Sequence, residues 1–164
     1  MDPVTVSTTI ARPREEVFDY LADAANLPEF TDHFLHDFHL TRVDSVGRGA
    51  GARFRVARRL DRFGWGEMTY AEVEAPHLIV ARGRGGKMNR IRSVSRWELS
   101  PAPGGTTRVD WTYETRPPLV SDRIMESLGA RGWTRRRHRK ALRRLRSILE
   151  EDRDRGARAT VAAG

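Results

Sequence analysis

The chain has 164 residues, of which 38% are hydrophobic, no cysteine and a formal net charge of +8. This length suits one domain that can bury a core, and the lack of cysteine excludes disulfides and thiolate chemistry. No apolar run approaches the roughly 20 residues that span a membrane, and no secretory signal precedes the first element. We therefore predict a cytoplasmic protein with one domain over residues 1–150 and a frayed tail over 151–164.

The first predicted elements are a strand and two short helices. Residues Val4–Ile10 alternate as a strand does. Pro13 then introduces a helix at a position where its missing N–H costs nothing. A second short helical turn follows over residues 26–30. The apolar residues of the first helix recur on one face, at Val17, Phe18 and Leu21.

The middle of the chain shows the period-two alternation of half-buried antiparallel strands. Gly- and Pro-rich connections between these segments are typical of hairpins. Six further strands are predicted, at Phe38–Val46, Ala52–Leu60, Trp65–Glu74, Leu78–Gly83, Asn89–Ser100 and Thr106–Arg116. In the fourth strand of the chain two sets compete for the inner face, namely Trp65, Thr69 and Val73 against Met68 and Tyr70. With the first strand, these segments predict a seven-stranded meander.

A long basic helix is predicted at the C-terminal end. Its apolar stripe runs through Leu142, Leu145 and Leu149. Continued backwards at three- and four-residue steps, the stripe reaches His138, Arg131, Leu128 and Ile124. The middle of the inward face is therefore polar, which suits either a helix beside a wet pocket or one that overhangs the sheet.

Trp133 has two possible orientations on this helix. If the helix is continuous, the indole lies opposite the apolar stripe and is exposed beside arginines, as a partner surface or homodimer contact would be. Gly129 and Gly132 each disfavour a helix interior by about 1 kcal/mol, so a break is also compatible with the sequence. A break would turn Trp133 towards a pocket.

Several of these segments together resemble the START-like or SRPBCC superfamily. The likeness lies in residues 11–23 (ARPREEVFDYLAD) and 26–30 (NLPEF), and continues through 47–54, the turn at 74–78 (EAPHL) and the terminal helix. It implies an α+β helix-grip fold, in which a seven-stranded curved antiparallel sheet wraps around a long C-terminal helix and two short helices separate strands 1 and 2. It also implies a large pocket between sheet and helix.

The candidate ligand-binding residues come from the inward strand positions and the helix. Ser93 and Ser95 interrupt an otherwise apolar inner face. Such hydroxyls suit a filled core in which they bond to neighbouring backbone, or a cavity whose apolar wall carries a few orienting groups. The resemblance favours the cavity. The predicted site residues are Phe54, Val56, Tyr70, Ser93, Ser95, Trp97, Trp111, Tyr113, Arg131 and His138.

The resemblance implies a hydrophobic small-molecule ligand, such as a lipid, polyketide or aromatic metabolite, held by a carrier or sensor without a cofactor. A polyketide cyclase or dehydratase that uses the same pocket is the alternative. In that case Ser95, Tyr113, Arg131 and His138 are available to direct the chemistry, although no catalytic motif of the family matches them.

The basic helix suggests a third function, an RNA- or ribosome-associated module. Residues 119–164 hold 13 basic and 6 acidic residues, which is nearly all of the excess charge. A solvated helix face explains this run as well, because no nucleic-acid reader motif accompanies it. We therefore expect no nucleic-acid partner.

Histidines at 33, 36 and 39 with Asp32 and Asp37 are the one metal-like cluster of the sequence. Imidazole and carboxylate suit zinc or iron. A period of three in a loop and strand does not bring these side chains together, so no metal site is predicted.

Overall fold

The structure, a computed structural model, describes residues 1–57, 64–119 and 129–161. Within these ranges eight strands form one curved, open sheet in the order β1-β7-β6-β5-β4-β3-β2-β8. The strands are β1 Val4–Ile10, β2 Leu35–Leu40, β3 Gly51–Val56, β4 Trp65–Glu74, β5 Leu78–Gly85, β6 Ile91–Ala102, β7 Thr106–Arg116 and β8 Thr160–Val161. The helices are α1 Arg14–Ala22, α2 Leu27–Thr31 and α3 Ala130–Glu151.

The helix-grip fold predicted from the sequence is confirmed. Neighbouring strands from β1 to β7 pair antiparallel, and α1 and α2 lie between β1 and β2 as expected. The apolar face of α1 and the whole of α2 are buried. The long helix α3 packs on β1 and α2 and covers the inner face of the sheet.

The boundaries of β2 and β3 differ from the prediction. The second strand ends at Leu40, six residues before the predicted end, because the following segment bonds to the end of α1 instead of to a strand. In that segment the Ser45 carbonyl accepts from the N–H of Ala24, and the Gly47 N–H donates to the Ala22 carbonyl. The third strand ends at Val56, and positions 58–60 of the prediction lie outside the described residues.

Each of the two competing sets of β4 residues faces inward over one half of the strand. Tyr70 is fully buried, and Trp65 is exposed, so the even-numbered residues face α3 in the first half of the strand. A register shift between Tyr70 and Glu72 then turns Val73 inward, where it packs against the core. A bulge of this kind reverses the faces because the side-chain period of a strand is two.

The face that α3 buries differs from the predicted stripe. Gly129 precedes the helix in a left-handed conformation, with φ of 89°. The predicted stripe positions Leu128 and Ile124 lie outside the described residues. The buried positions of the helix are Ala130, Thr134, His138, Ala141, Leu142, Leu145 and Ile148.

This register corrects two sequence assignments. Ile148 is buried, whereas the predicted stripe residue Leu149 is only half-buried. Arg131 is exposed and forms an ion pair with Asp2 at 3.4 Å. The buried face of the helix instead continues from His138 at four-residue steps, to Thr134 and Ala130.

Residues 152–161, whose composition predicts a frayed tail, lie against α2 and β2. The Gly156 N–H donates to the Glu29 carbonyl at 2.8 Å, and the Ala159 N–H donates to the Ala25 carbonyl at 2.9 Å. Gly156 suits this close approach, because a Cβ there would lie 2.5 Å from an Asp32 carboxylate oxygen. Strand β8 adds to the sheet edge parallel to β2. A domain limit at residue 150 remains a prediction.

A candidate binding cavity between the sheet and the C-terminal helix

The inner face of the sheet becomes hollow towards one end of β5. Its inward positions read Ile79, Ala81, Gly83 and Gly85, so side-chain volume disappears along the strand. On β6 the facing partner of Gly83 is Ser93, which is also small. Neighbouring atoms approach these glycines closely, since a Cβ at Gly83 would lie 2.6 Å from the Glu67 carbonyl oxygen and 2.7 Å from the Ser93 hydroxyl oxygen. No large side chain therefore projects from this part of β5 towards the helix.

A cavity of about 150 Å³ occupies this end of the molecule. Strands β3 to β7 form one wall, and the first turn of α3 forms the other. Aromatic residues and glycines are the commonest lining residues, and the polar lining residues are hydroxyl-bearing or charged. The lining residues are Met1, Phe54, Val56, Gly64–Glu67, Arg84–Gly86, Ile91, Ser93, Tyr113, Thr115, Ala130, Trp133 and Thr134.

The structure places four of the predicted site residues on the cavity wall. They are Phe54, Val56, Ser93 and Tyr113, and they come from three strands whose inner positions face α3. Phe54 is held by a stack on Phe38, with 5.6 Å between ring centroids. The wall therefore has one aromatic side fixed by packing within the sheet.

Four other predicted residues lie deeper, in a packed aromatic core. Trp97 stacks on Trp111 with 4.0 Å between ring centroids, and Trp111 stacks on His138 at 3.7 Å. Tyr70 is buried and donates from its hydroxyl to the Leu21 carbonyl at 2.8 Å. None of these four side chains lines the cavity.

The two inward serines have different roles. The Ser95 hydroxyl accepts a hydrogen bond from the indole Nε1 of Trp111 at 2.7 Å. Ser95 thus satisfies a buried donor, but its partner is a side chain and not the neighbouring backbone that the filled-core interpretation names. Ser93, two residues closer to the glycine end of the sheet, lines the cavity. The cavity interpretation of these hydroxyls therefore fits Ser93 and not Ser95.

Trp133 faces the cavity with part of its ring. It is half-buried, lies edge-on to Phe34 with 6.0 Å between centroids, and carries the Arg137 guanidinium over its other side. Because α3 begins at Ala130, the tryptophan lies in the first turn, where the helix borders the cavity. Arg131, the other predicted residue of this turn, points away from the cavity and contacts Asp2.

Several lining positions were not predicted. Gly66 and Gly85 form part of the wall directly opposite each other on β4 and β5. The sequence does contain a pattern that points to them, because Gly83 and Gly85 occupy alternate positions on the inward side of a strand. Thr134 and Ala130 depend on the helix register, which the leucine pattern does not define.

His138 is buried in the neutral form. Burial lowers the pKa of the imidazole from 6.5 to about 3. Its Nδ1 atom has no hydrogen-bond partner among the described residues. Ring stacking on Trp111 and an edge contact with Tyr113, at 5.4 Å between centroids, surround it with aromatic faces. A charged imidazolium would lose its hydration here without gaining a counter-ion.

The stability of the protein is expected to fall in mild acid because of His138. Below the ordinary pKa the unfolded chain binds a proton that the folded protein excludes, so the free energy of unfolding decreases as pH falls from about 6.5 towards about 3. Between about pH 7 and pH 5 the expected loss is about 2 kcal/mol. A His138→Phe variant keeps an aromatic ring on Trp111 and removes the titration. Urea unfolding should therefore show a smaller pH dependence in the variant; equal slopes would contradict a buried neutral imidazole.

The histidine cluster of the sequence does not assemble around a common point. His33 is half-buried, and its Nε2 atom lies 3.1 Å from the Arg137 carbonyl oxygen. His36 and His39 lie on β2, on either side of a register shift. In the ranges that the structure describes, no group of three or more potential ligands is placed to hold a metal ion. No helix within those ranges is long and apolar enough to cross a membrane.

The curved open sheet, the long helix that it wraps around and the cavity between them define a helix-grip protein. The chain belongs to the family described as polyketide cyclase / dehydrase and lipid transport, whose model matches residues 1–150. This confirms the resemblance seen in the sequence. No curated protein matches the chain.

Solved structures share the fold at low identity. Truncated norcoclaurine synthase from Thalictrum flavum has a TM-score of 0.69 and 11% identity, over 92% of this chain and 94% of that one. A protein from Thermus thermophilus has a TM-score of 0.66 and 15% identity, over 90% and 96% of the two chains. A protein from Deinococcus radiodurans has a TM-score of 0.61 and 20% identity, over 92% and 98%. At these identities the likeness shows the fold alone.

Proposed function

We propose that the chain binds a small hydrophobic molecule in the cavity between the sheet and α3, as a carrier or sensor. The observation that carries this proposal is the composition of the wall. Phe54, Ile91 and Trp133 provide apolar surface, and the hydroxyls of Ser93 and Tyr113 provide orienting groups. Small-molecule sites typically combine an apolar wall with a few polar groups in this way.

The volume narrows the class of ligand. A cavity of about 150 Å³ matches the engineered cavities that accept benzene, and it is smaller than the about 300 Å³ at which drug-sized sites begin. A single aromatic ring therefore fits, or the end of a longer molecule that extends through the opening. A structure of norcoclaurine synthase in complex with dopamine and hydroxybenzaldehyde, two single-ring molecules, supports this size class on the same fold.

Titration with 1-naphthol tests the proposal, with one ring of the probe expected in the cavity and the second ring at the opening. Because the Trp133 ring lies at the cavity, binding should quench tryptophan fluorescence saturably with one ligand per chain. Ser93→Phe places a ring in the cavity and should weaken binding by about tenfold or more, since the site volume is lost. Val94→Phe on the same strand is the matched control, because its side chain points to the opposite face.

Two results of this titration would count against the cavity as the binding site. Retained binding in a folded Ser93→Phe protein would remove the cavity from the proposal. Equal loss in both variants would show a general effect of the added ring rather than competition for the cavity.

A cyclase- or dehydratase-type enzyme is the second candidate, favoured by one contact. Tyr113 reaches the cavity and lies edge-on to the neutral imidazole of His138. The Tyr113 hydroxyl can donate a proton to a reacting group, whereas His138, whose pKa is lowered by burial to about 3, positions the phenol ring and is a poor proton acceptor. In an enzyme, a molecule that co-purifies with the protein should be converted by fresh protein but not by Tyr113→Phe. In a carrier it should be bound unchanged by both.

A nucleic-acid module is the third candidate and rests on the solvent face of α3. Arginines at positions 135, 136, 139 and 143 share that face and form no ion pair with the described residues. Phosphate binding through such a face weakens steeply with salt. We expect only feeble RNA association that disappears near physiological ionic strength, where charges about 8 Å apart are screened.

A further inference from the structure

The cavity lies at one end of the sheet, and strand register defines which residues surround it. Arg55 pairs with Trp65, Gly66 pairs with Gly85, and Arg92 pairs with Arg116, so the end of β3, the start of β4, the β5–β6 turn and the end of β7 lie side by side. We call this region, with the start of α3, the open end. Its described residues are 1–2, 53–57, 64–67, 84–92, 114–119 and 129–135.

The open end displays large apolar side chains to solvent. Six such side chains are exposed in the part of the chain that the structure describes, and three of them, Trp65, Met88 and Leu119, lie here. Met88 is 86% exposed at the tip of the β5–β6 turn. Trp65 also borders the cavity at the start of β4, so the exposed apolar surface begins beside the cavity opening. Exposed apolar groups beside an opening are typical of an interaction surface.

Basic residues surround these apolar side chains. The open end contains nine basic and three acidic residues. Arg84, Arg92 and Arg116 occupy directly opposed positions on three neighbouring strands. Like charges facing each other across strands are destabilising, and only Arg116 of the three has an ion pair among the described residues, with Glu114 at 3.0 Å. An external anionic surface would neutralise this row.

We propose that the open end docks on an anionic lipid surface, from which the cavity exchanges its ligand. This rests on the proposed function, because a hydrophobic ligand can then pass from bilayer to cavity without crossing water. A lipid interface accommodates apolar side chains inserted at the headgroup level and attracts neighbouring cations at the same time. A nucleic acid would use the cations, but of the three apolar side chains only Trp65 is a stacking platform, and its ring already carries the Arg53 guanidinium at 5.1 Å. Met88 and Leu119 offer a nucleic acid no stacking contact.

Vesicle sedimentation of the full chain tests the apolar half of the surface. The wild type should bind phosphatidylcholine vesicles that contain phosphatidylglycerol, and should bind pure phosphatidylcholine much less. The double variant Met88→Ser/Leu119→Ser should lower the partition coefficient by about tenfold. Val43→Ser is the matched control: Val43 is 87% exposed but lies in the β2–β3 loop, at the other end of β3. Its partition should equal that of the wild type.

The charged half is tested by Arg92→Gln/Arg116→Gln, which removes two members of the arginine row, neither of which lines the cavity. Binding to the anionic vesicles should fall by about tenfold or more and lose part of its salt dependence. Arg136→Gln/Arg143→Gln removes two cations from the solvent face of α3 and is the control. If this control loses binding and the row variant does not, the docking surface is the helix and the proposal is overturned.

The same variants separate docking from ligand binding. They should bind 1-naphthol as the wild type does, because none of the altered side chains fills the cavity. Vesicle binding without naphthol binding would leave docking standing and contradict the proposed function. Equal partition of the wild type and Met88→Ser/Leu119→Ser would overturn docking. A wild-type protein that binds RNA at physiological salt but no vesicles, with RNA binding unchanged in Met88→Ser/Leu119→Ser, would also overturn it.

Discussion

Replacing Leu145 by alanine is expected to lower the free energy of unfolding by about 2–5 kcal/mol, because the deleted atoms leave a cavity that the core cannot close. Leu145 is fully buried on α3, where the helix packs against the sheet. Ile148→Ala should cost a comparable amount. Urea unfolding monitored by circular dichroism measures both.

Leu149→Ala is the matched control for the register of α3. Leu149 is half-buried, so its truncation should cost about 1 kcal/mol, less than the loss at a fully buried site. The sequence stripe through Leu142, Leu145 and Leu149 predicts the opposite ranking. A Leu149→Ala variant that is more destabilised than Ile148→Ala would contradict the observed register.

Removing residues 153–164 is expected to destabilise the protein by about 3 kcal/mol, although this segment has a tail-like composition. Arg155 bonds to the buried Glu29 carboxylate at 2.6 Å, and Arg158 bonds to the buried carboxylate of Asp23. Deletion leaves both carboxylates without their cations. Glu29 then keeps only the Tyr20 hydroxyl as a side-chain partner among the described residues.

A second variant isolates the electrostatic cause. Glu29→Gln in the truncated protein removes one unpaired buried charge and should recover part of the lost stability, whereas Glu29→Gln in the full chain should be destabilising. Thermal unfolding of the four proteins gives the comparison. Truncation without a change in midpoint would show that the tail is frayed, as its composition predicts.

The strands were predictable because each carries its own local signal. In β7, Val109, Trp111 and Tyr113 alternate with polar residues, and the structure has the same strand bounds. The β2 boundary was wrong because Ser45 and Gly47 bond to the end of α1, a tertiary partner that alternation cannot show. The bulge after Tyr70 is likewise invisible in a pattern that suits either face.

The cavity was predictable only in part. Ser93 and Ser95 have the same residue type and the same face, and what separates them is the Trp111 indole, which reaches only Ser95. Leucines at 142, 145 and 149 are compatible with two helix rotations, so the inward placement of Arg131 was wrong and Trp133 remained undecided. Side-chain contacts between distant segments decide such cases, and one sequence does not specify them.

Native mass spectrometry of the protein purified from its own source tests the central claim most directly. A binder of small hydrophobic molecules should carry one extra mass per chain, of the size of an aromatic ring or a short chain, which collisional activation releases. The Ser93→Phe protein prepared in the same way should lack it, and Val94→Phe should retain it. A bound molecule that is equally abundant in the Ser93→Phe protein, or wild-type protein that carries none and takes up no 1-naphthol in the same experiment, would contradict a binding cavity between the sheet and α3.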